Sequence, residues 1–271
     1  MLYECINNAN EFADASFILL TMITSCGKIF NMIVKRELIS KMMEAMQTNL
    51  LNTQDEIEIT IVSQYDRKAK MYTVMYGILV GSTCTMLTLA SFLRDIPQRA
   101  LPFKAWLPSS LNTPVGYWSA YIHQTIGHYT GANINVGFDS LVVSMMMIIC
   151  ARLKVCKHRF NQIYQTLKRT KNDKKNKISV DEQLRLEEKF VAECTEYHTA
   201  IFEFAELSNK TFAPSVFLQY CISSLILCVS TYGLSQLEPF SQEFISLLMY
   251  LMCMLMQIFF YCRYATEVGL Q

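Results

Sequence analysis

The sequence predicts an all-α fold, a polytopic transmembrane helix bundle, and three observations predict it. Hydrophobic residues fill 52% of the 271 positions against 17% charged, a balance unlike that of a soluble globule. The apolar residues are also bunched: 71–93, 211–237 and 244–262 contain no Asp, Glu, Lys or Arg. Helices of such length cross roughly 30 Å of hydrocarbon at about 1.5 Å per residue. Finally, the basic residues sort to one side of these runs once two weaker spans are added.

The first span is placed at about 12–34. Ala15 to Gly27 is uncharged and Ile29 to Val34 continues it past Lys28, whose long side chain is expected to snorkel to the interface. Beyond it, Leu38, Met42, Met46 and Leu50 recur every fourth residue, the mark of an amphipathic helix. Asn52, Thr53 and Gln54 interrupt that helix, and a polar connector is expected to lead on to the second span, 71–93. The connector 94–116 holds Pro97, Pro102, Pro108 and Pro114, four of the six prolines, and reads as extended and turn-rich. Trp106 within it and Trp118 at the next helix start suit a membrane interface.

The third span is placed at 117–151, with Asp139 the only charged residue between Ala105 and Ala151. Intramembrane acids are functional suspects. Three readings of Asp139 stay open: an ion path, an interhelical hydrogen bond, or a partner in helices outside this sequence. Asp14, near the outer boundary, reads as solvated. The stretch Lys168 to Lys177 carries six basic residues and one acid; it reads as a solvated connector, with contact to anionic lipid as the alternative. Ser179 and Glu182 form a capping-box pattern that opens a helix. On it Leu184, Val191, Cys194, His198, Ile201 and Ala205 form a stripe running towards the fourth span, 211–235. The fifth span is 243–262. The long helical extensions need partners, either one another or a second subunit.

If the loops alternate sides, segments 28–70, 152–210 and 263–271 share a face and carry 7, 13 and 1 of the 24 Lys and Arg residues; the other face has Arg94, Arg99 and Lys104. The positive-inside rule makes the rich face cytoplasmic. Segments 35–70 and 152–210 are then cytoplasmic, 94–116 is an extracellular loop, residue 1 is extracellular and residue 271 cytoplasmic. The opening residues show no basic stretch followed by an apolar one, as a leader would. A further helix upstream is therefore expected, as in a fragment of a longer protein. Asn209-Lys210-Thr211 is a glycosylation sequon on the cytoplasmic side and is expected to stay unmodified.

Several chemistries find no foothold. There is no GxGxxG, no GKS or GKT, no HExxH and no GxSxG, so phosphate-cradling loops, zinc-protease helices and nucleophile elbows are not expected. No CxxC pair supports zinc. Cys26, Cys84, Cys150, Cys221, Cys228, Cys253 and Cys262 lie in or at spans and read as buried thiols. Cys194 and His198 share a helix face, for which packing is the preferred account over a nucleophile and base. No enzyme activity, cofactor, metal or nucleic-acid partner is expected.

The outer connector begins a resemblance. "LPFKAWLP" at Leu101 to Pro108, then Pro114, Tyr117, Tyr121 and Gln124, then His198, Phe202, Phe217, Gln219, Ser223 and Cys228, and lastly Phe259 to Gln271, resemble in order and spacing the insect odorant receptors over residues 10 to 271. Arg263 and Ala265 depart from the family's aromatic and glycine. The resemblance implies a seven-helix fold with a cytoplasmic N-terminus, of which the visible spans are helices two to six, and a glycine-containing turn after the sixth. It also implies a ligand-gated cation channel of the plasma membrane, assembled as a tetramer with a co-receptor subunit through cytoplasmic helix ends.

By the same resemblance a small volatile odorant sits in the outer half of the bundle. Such a ligand offers few polar handles, so its site should be apolar and aromatic with one or two hydrogen-bonding groups. Tyr117, Tyr121, Gln124 and His128 share a face of the third span, Thr83, Met86 and Ala90 one of the second, and Leu247, Tyr250 and Met254 one of the fifth; Phe17 is the candidate from the first. Other classes fit less well. A G-protein-coupled receptor needs the opposite orientation, and a secondary transporter needs internal repeats and broken helices, of which only Pro214 is a hint. The related gustatory receptors stand nearest.

Overall fold

The computed structural model describes residues 9–48, 55–103, 113–172 and 180–270. These form six helices: α1 (Ala9–Val34), α2 (Arg36–Thr48), α3 (Glu56–Asp95), α4 (Pro114–Asn172), α5 (Val180–Gln236) and α6 (Gln242–Leu270). Leu50, Trp106, Pro108, Lys174 and Ser179, with the connector and capping readings placed on them, lie outside the described residues. Helices α3 to α6 are each long and apolar enough to cross a membrane, and Leu19–Val34 of α1 is a shorter apolar stretch.

The helix ends follow from local chemistry. Thr113 caps α4, its Oγ1 accepting from the Gly116 amide at 3.1 Å, while Pro114 takes the first helical position, where a missing N–H costs nothing. Ser241 does the same for α6 through the Phe244 amide at 3.1 Å. At the end of α3 the Arg99 amide donates to Ile96 O at 3.1 Å and the Ala100 amide to Asp95 O at 2.9 Å. Those two bonds are a Schellman cap, with Arg99 at φ 50° in the position that glycine usually takes.

Three helices outrun the sequence expectation. The charged residues 56–70 continue α3 upstream of its apolar span, and α4 runs on through Lys168 to Asn172, part of the stretch expected to be a solvated connector. Helix α6 continues eight residues beyond Cys262, through Arg263, Ala265 and Gly269 to Leu270. The turn implied after the sixth helix is therefore absent from 263–270. Alanine at 265 is the best helix former, and Tyr264 and Glu267 give the extension partners. Pro214 lies inside α5, which continues on both sides of it.

The chain divides into two compact units. The first comprises residues 1–34, 71–141 and 214–261: α1 with segments of α3 to α6. Its outer surface is apolar, with Phe30, Ile33, Val74, Ile78, Phe217 and Phe259 exposed, while Lys28, Gln219, Ser223, Gln257 and Asp139 are buried. Such an inverted distribution suits hydrocarbon as solvent, where polar groups are driven to pair between helices. Ile222, Ile226 and Met254 form an apolar cluster packed by Leu20, Leu227 and Tyr250. Gly27 allows α1 to approach α5, since a Cβ there would stand 3.0 Å from Leu218 Cδ2.

The second unit comprises residues 35–70, 142–213 and 262–271. Met42 of α2 is fully buried against Thr211 of α5. Glu58 of α3 receives Nε and Nη2 of Arg159 on α4 at 2.6 and 2.8 Å, and Asp55 accepts from Gln162 at 2.7 Å.

Among the cysteines, Cys84, Cys150 and Cys253 are buried, whereas Cys26, Cys221, Cys228 and Cys262 are exposed on helix surfaces. The expectation that all seven are buried is corrected for these four. Thiols are apolar enough to face lipid as readily as protein.

Candidate functional site

The four α4 candidates share one face and are brought together. Tyr117, Tyr121 and Gln124 are buried and His128 is half-buried. The side of the helix they occupy holds the chain that follows α3. Tyr117 donates to Ala100 O at 3.0 Å, and the Tyr121 hydroxyl lies 3.4 Å from Ser91 Oγ. Gln124 accepts from the Phe103 amide and donates to its carbonyl, both at 3.0 Å. The Phe103 ring then stands 5.4 Å from the His128 ring, whose Nε2 is buried with no partner among the described residues.

The candidates on α3 and α6 form a second group. Thr83 Oγ1 meets Cys253 Sγ at 3.3 Å, and the Tyr250 hydroxyl meets Thr21 Oγ1 of α1 at the same distance. Met254 belongs to the apolar cluster with Ile222 and Ile226, and Leu247 flanks Gly233 of α5. Met86 points outward at 38% exposure and Ala90 is half-buried. The Phe17 side chain lies outside the described residues.

Between the helices of the first unit is a polar centre that sequence reasoning did not assemble. Lys28 Nζ stands 2.6 Å from Asp139 Oδ1 and 2.8 Å from Asn135 Oδ1. Asp139 also accepts from Tyr261 at 2.8 Å, from Tyr76 at 3.2 Å and from Gln257 Nε2. Gln257 Oε1 in turn accepts from Gln219 Nε2 at 3.1 Å. Helices α1, α3 and α6 thus meet on one carboxylate of α4, and α5 joins through Gln219. Lys28 does not snorkel: a counter-ion within reach is worth more than a stretch to the interface. Of the open readings of Asp139, interhelical bonding is the one found. The signal available was the single basic residue of one span and the single acid of another.

The second unit carries its own polar group outside the spans. Tyr65 donates to Glu267 Oε1 at 2.5 Å, Lys154 stands 3.5 Å from the same oxygen, and Lys68 and Lys154 lie over the Tyr65 ring. Burial works to raise the Glu267 carboxyl, but the Tyr65 hydrogen bond and the Lys154 and Lys68 charges outweigh it and hold the group below its ordinary value. An open cleft of about 560 Å³ borders it, between Ile61, Lys157, His158 and Asn161. Burial pushes the Cys194 thiol up, so it is a poor nucleophile. Among the described residues no group of three or more His, Cys, Asp or Glu could hold a metal ion.

A family model described as "7tm Odorant receptor" matches residues 8–271. Odorant receptor 46a, isoform A, of Drosophila melanogaster is 24% identical over 96% of this chain and 64% of its own length. Odorant receptor Or1 of Anopheles gambiae is 21% identical over 99% of this chain and 67% of its own. Among solved structures, the olfactory receptor OR5 of Machilis hrabei, in complex with eugenol, matches with a TM-score of 0.77 at 17% identity. That match covers 95% of this chain and 63% of that one. The chain thus spans about two thirds of the length of these three relatives.

Proposed function

The chain belongs to the insect odorant receptor family, a family of multi-pass membrane receptors, and from that premise we propose that it is the odorant-binding part of a receptor subunit. With a co-receptor subunit, in a hetero-oligomer we take to be a tetramer, it gates a cation channel of the plasma membrane. Residues 35–70 and 152–210 face the cytoplasm and 94–116 the exterior; the spans are 12–34, 71–93, 117–151, 211–235 and 243–262. It has no enzymatic activity.

The ligand is a small volatile molecule, held in the half of the first unit that carries Tyr121, Tyr250, Met254 and Thr83. One observation carries this reading most directly. Tyr250 and Met254 bring a hydroxyl that meets Thr21 and an apolar cluster together on one face of α6, which is the mix of surface and handle that such a ligand needs. That OR5 was solved with eugenol supports a small organic ligand for this fold. Binding favours the helix arrangement in which the channel opens, by as much as the ligand's affinities for the two states differ.

The test completes the chain from its gene, expresses it with the co-receptor and records currents for a panel of volatiles. Tyr121→Ala and Tyr250→Ala are expected to raise the half-maximal odorant concentration roughly tenfold or more. Unchanged dose–response curves at equal surface expression remove both residues from the site.

A further inference from the structure

The cleft beside Glu267 lies wholly within the second unit, and three helices contribute to it: Ile61 from α3, Glu267 and Leu270 from α6, and a longer stretch of α4. On α4 the lining residues are Lys154, Lys157, His158 and Asn161, whose spacing puts them on one face over two turns. At about 560 Å³ the space is of small-molecule size, within the roughly 300–1,000 Å³ typical of such sites. Its charges are unevenly matched. The Glu267 carboxylate is already answered by the Tyr65 hydroxyl and by Lys154 at 3.5 Å, with Lys68 nearby over the Tyr65 ring. His158 directs Nε2 towards Asp55 at 3.5 Å. Lys157 is exposed and its ammonium group has neither an ion pair nor a hydrogen bond among the described residues; the same holds of the Asn161 side-chain amide.

We propose that this cleft binds an organic polyphosphate: the phosphorylated inositol headgroup of a membrane lipid, or a free nucleotide or inositol phosphate of the same chemistry. Lysine serves phosphates as a point charge, and Lys154 and Lys157 stand a turn apart on one face, which suits two phosphates rather than one. The Asn161 amide can donate to and accept from the hydroxyls of a sugar or polyol, while Ile61 and Leu270 offer its carbon faces apolar contact. Lys68, Lys154 and Lys157 set three positive charges against two negative ones, Glu267 and the Asp55 that faces His158. An incoming anion therefore meets a surplus of positive charge. Depth favours the lipid source: Lys154 and Asn161 lie three and ten residues past Ala151, about 4.5 and 15 Å along the helix beyond the uncharged run. Headgroups that project from an anionic leaflet into water reach that zone. The choice of source rests on the proposed placement of 152–210 on the cytoplasmic face; the site itself does not.

The test uses the 271-residue chain purified in neutral detergent, without odorant or co-receptor, so its failure is separate from any failure of odorant binding. Calorimetric titrations compare inositol trisphosphate, ATP and dioctanoyl phosphatidylinositol bisphosphate at constant ionic strength, with sulfate as the simple-anion control. Lys157→Gln should weaken binding about tenfold and Lys157→Arg should largely keep it. Asn161→Trp should block the cleft without altering its charge. Lys157 and Asn161 are exposed, so these substitutions leave the packed core alone. Lys189→Gln, at an exposed α5 lysine outside the cleft, should leave binding unchanged. Tighter binding of the lipid than of inositol trisphosphate assigns the site to the membrane; equal or tighter binding of inositol trisphosphate or ATP assigns it to a soluble polyphosphate. A parent chain that binds none of the three, or binds sulfate as tightly, overturns the proposal. So does full binding by Asn161→Trp, or an equal loss of affinity in Lys189→Gln and Lys157→Gln.

Discussion

Lys28 Nζ stands 2.6 Å from Asp139 Oδ1, and the two side chains are 2% and 0% exposed. The pair does not stand alone, because Tyr76, Gln257 and Tyr261 donate to the same carboxylate. Removing either charge therefore has unequal consequences. Asp139→Asn strands the lysine's charge and should cost about 3–5 kcal/mol. Lys28→Met leaves a carboxylate that three neutral donors still serve, and should cost less, about 1–3 kcal/mol. Denaturant unfolding of the detergent-solubilised chain checks the order; equal losses would show that the neutral donors contribute little.

Arg99 holds a left-handed conformation at φ 50° in the cap of α3. Glycine adopts that conformation without a Cβ clash, so Arg99→Gly should stabilise the chain by about 0.5–1 kcal/mol. Arg99→Val should destabilise it, because a β-branched residue resists positive φ. Thermal midpoints of the two variants should move in opposite directions.

Gln124 clasps both backbone groups of Phe103. Gln124→Leu fills similar space and releases that segment, at a cost of about 1–3 kcal/mol for the stranded backbone groups. Hydrogen exchange at the Phe103 amide should speed up roughly tenfold or more, while amides in the middle of α5 keep their rates.

Glu267 has its folded pKa held below the ordinary carboxyl value of 4.5. The sign follows from linkage: the stabilisation is complete above the unfolded value and is lost as pH falls through the lowered folded one. Unfolding midpoints measured from about pH 6 to about pH 3 should therefore fall less steeply for Glu267→Gln than for the parent chain. The Tyr65 and Lys154 contacts would be judged irrelevant if the two curves ran parallel.

The helical class and the apolar spans of α3 to α6 were legible in the sequence because charge-free runs of that length leave few alternatives. Helix lengths were less legible. Residues 56–70 and 152–166 mix many charges with buried apolar anchors such as Tyr65 and Val155, and only packing reveals that their helices are unbroken. The sharing of a face by Tyr117, Tyr121, Gln124 and His128 was also legible from their spacing. That Ala100 and Phe103 pack against them was not, since a short irregular segment carries no periodicity to read. The Lys28–Asp139 pair eluded the sequence for a related reason: each charge was noticed, but helix rotation decides whether the two face each other, and snorkelling is an equally sound fate for an isolated lysine.

Residues 28 and 139 are separated by 111 positions in the chain. At ribosomal speeds of about 5–20 residues per second, the lysine is made roughly 6–22 seconds before its counter-ion exists. Through that interval α1 carries a cation without its counter-ion, and Lys28 gains that partner only when α4 arrives. The order of translation thus imposes an order on the pair, with α4 completing α1, and damage to α4 would be registered by the cell as a failure of a segment made before it.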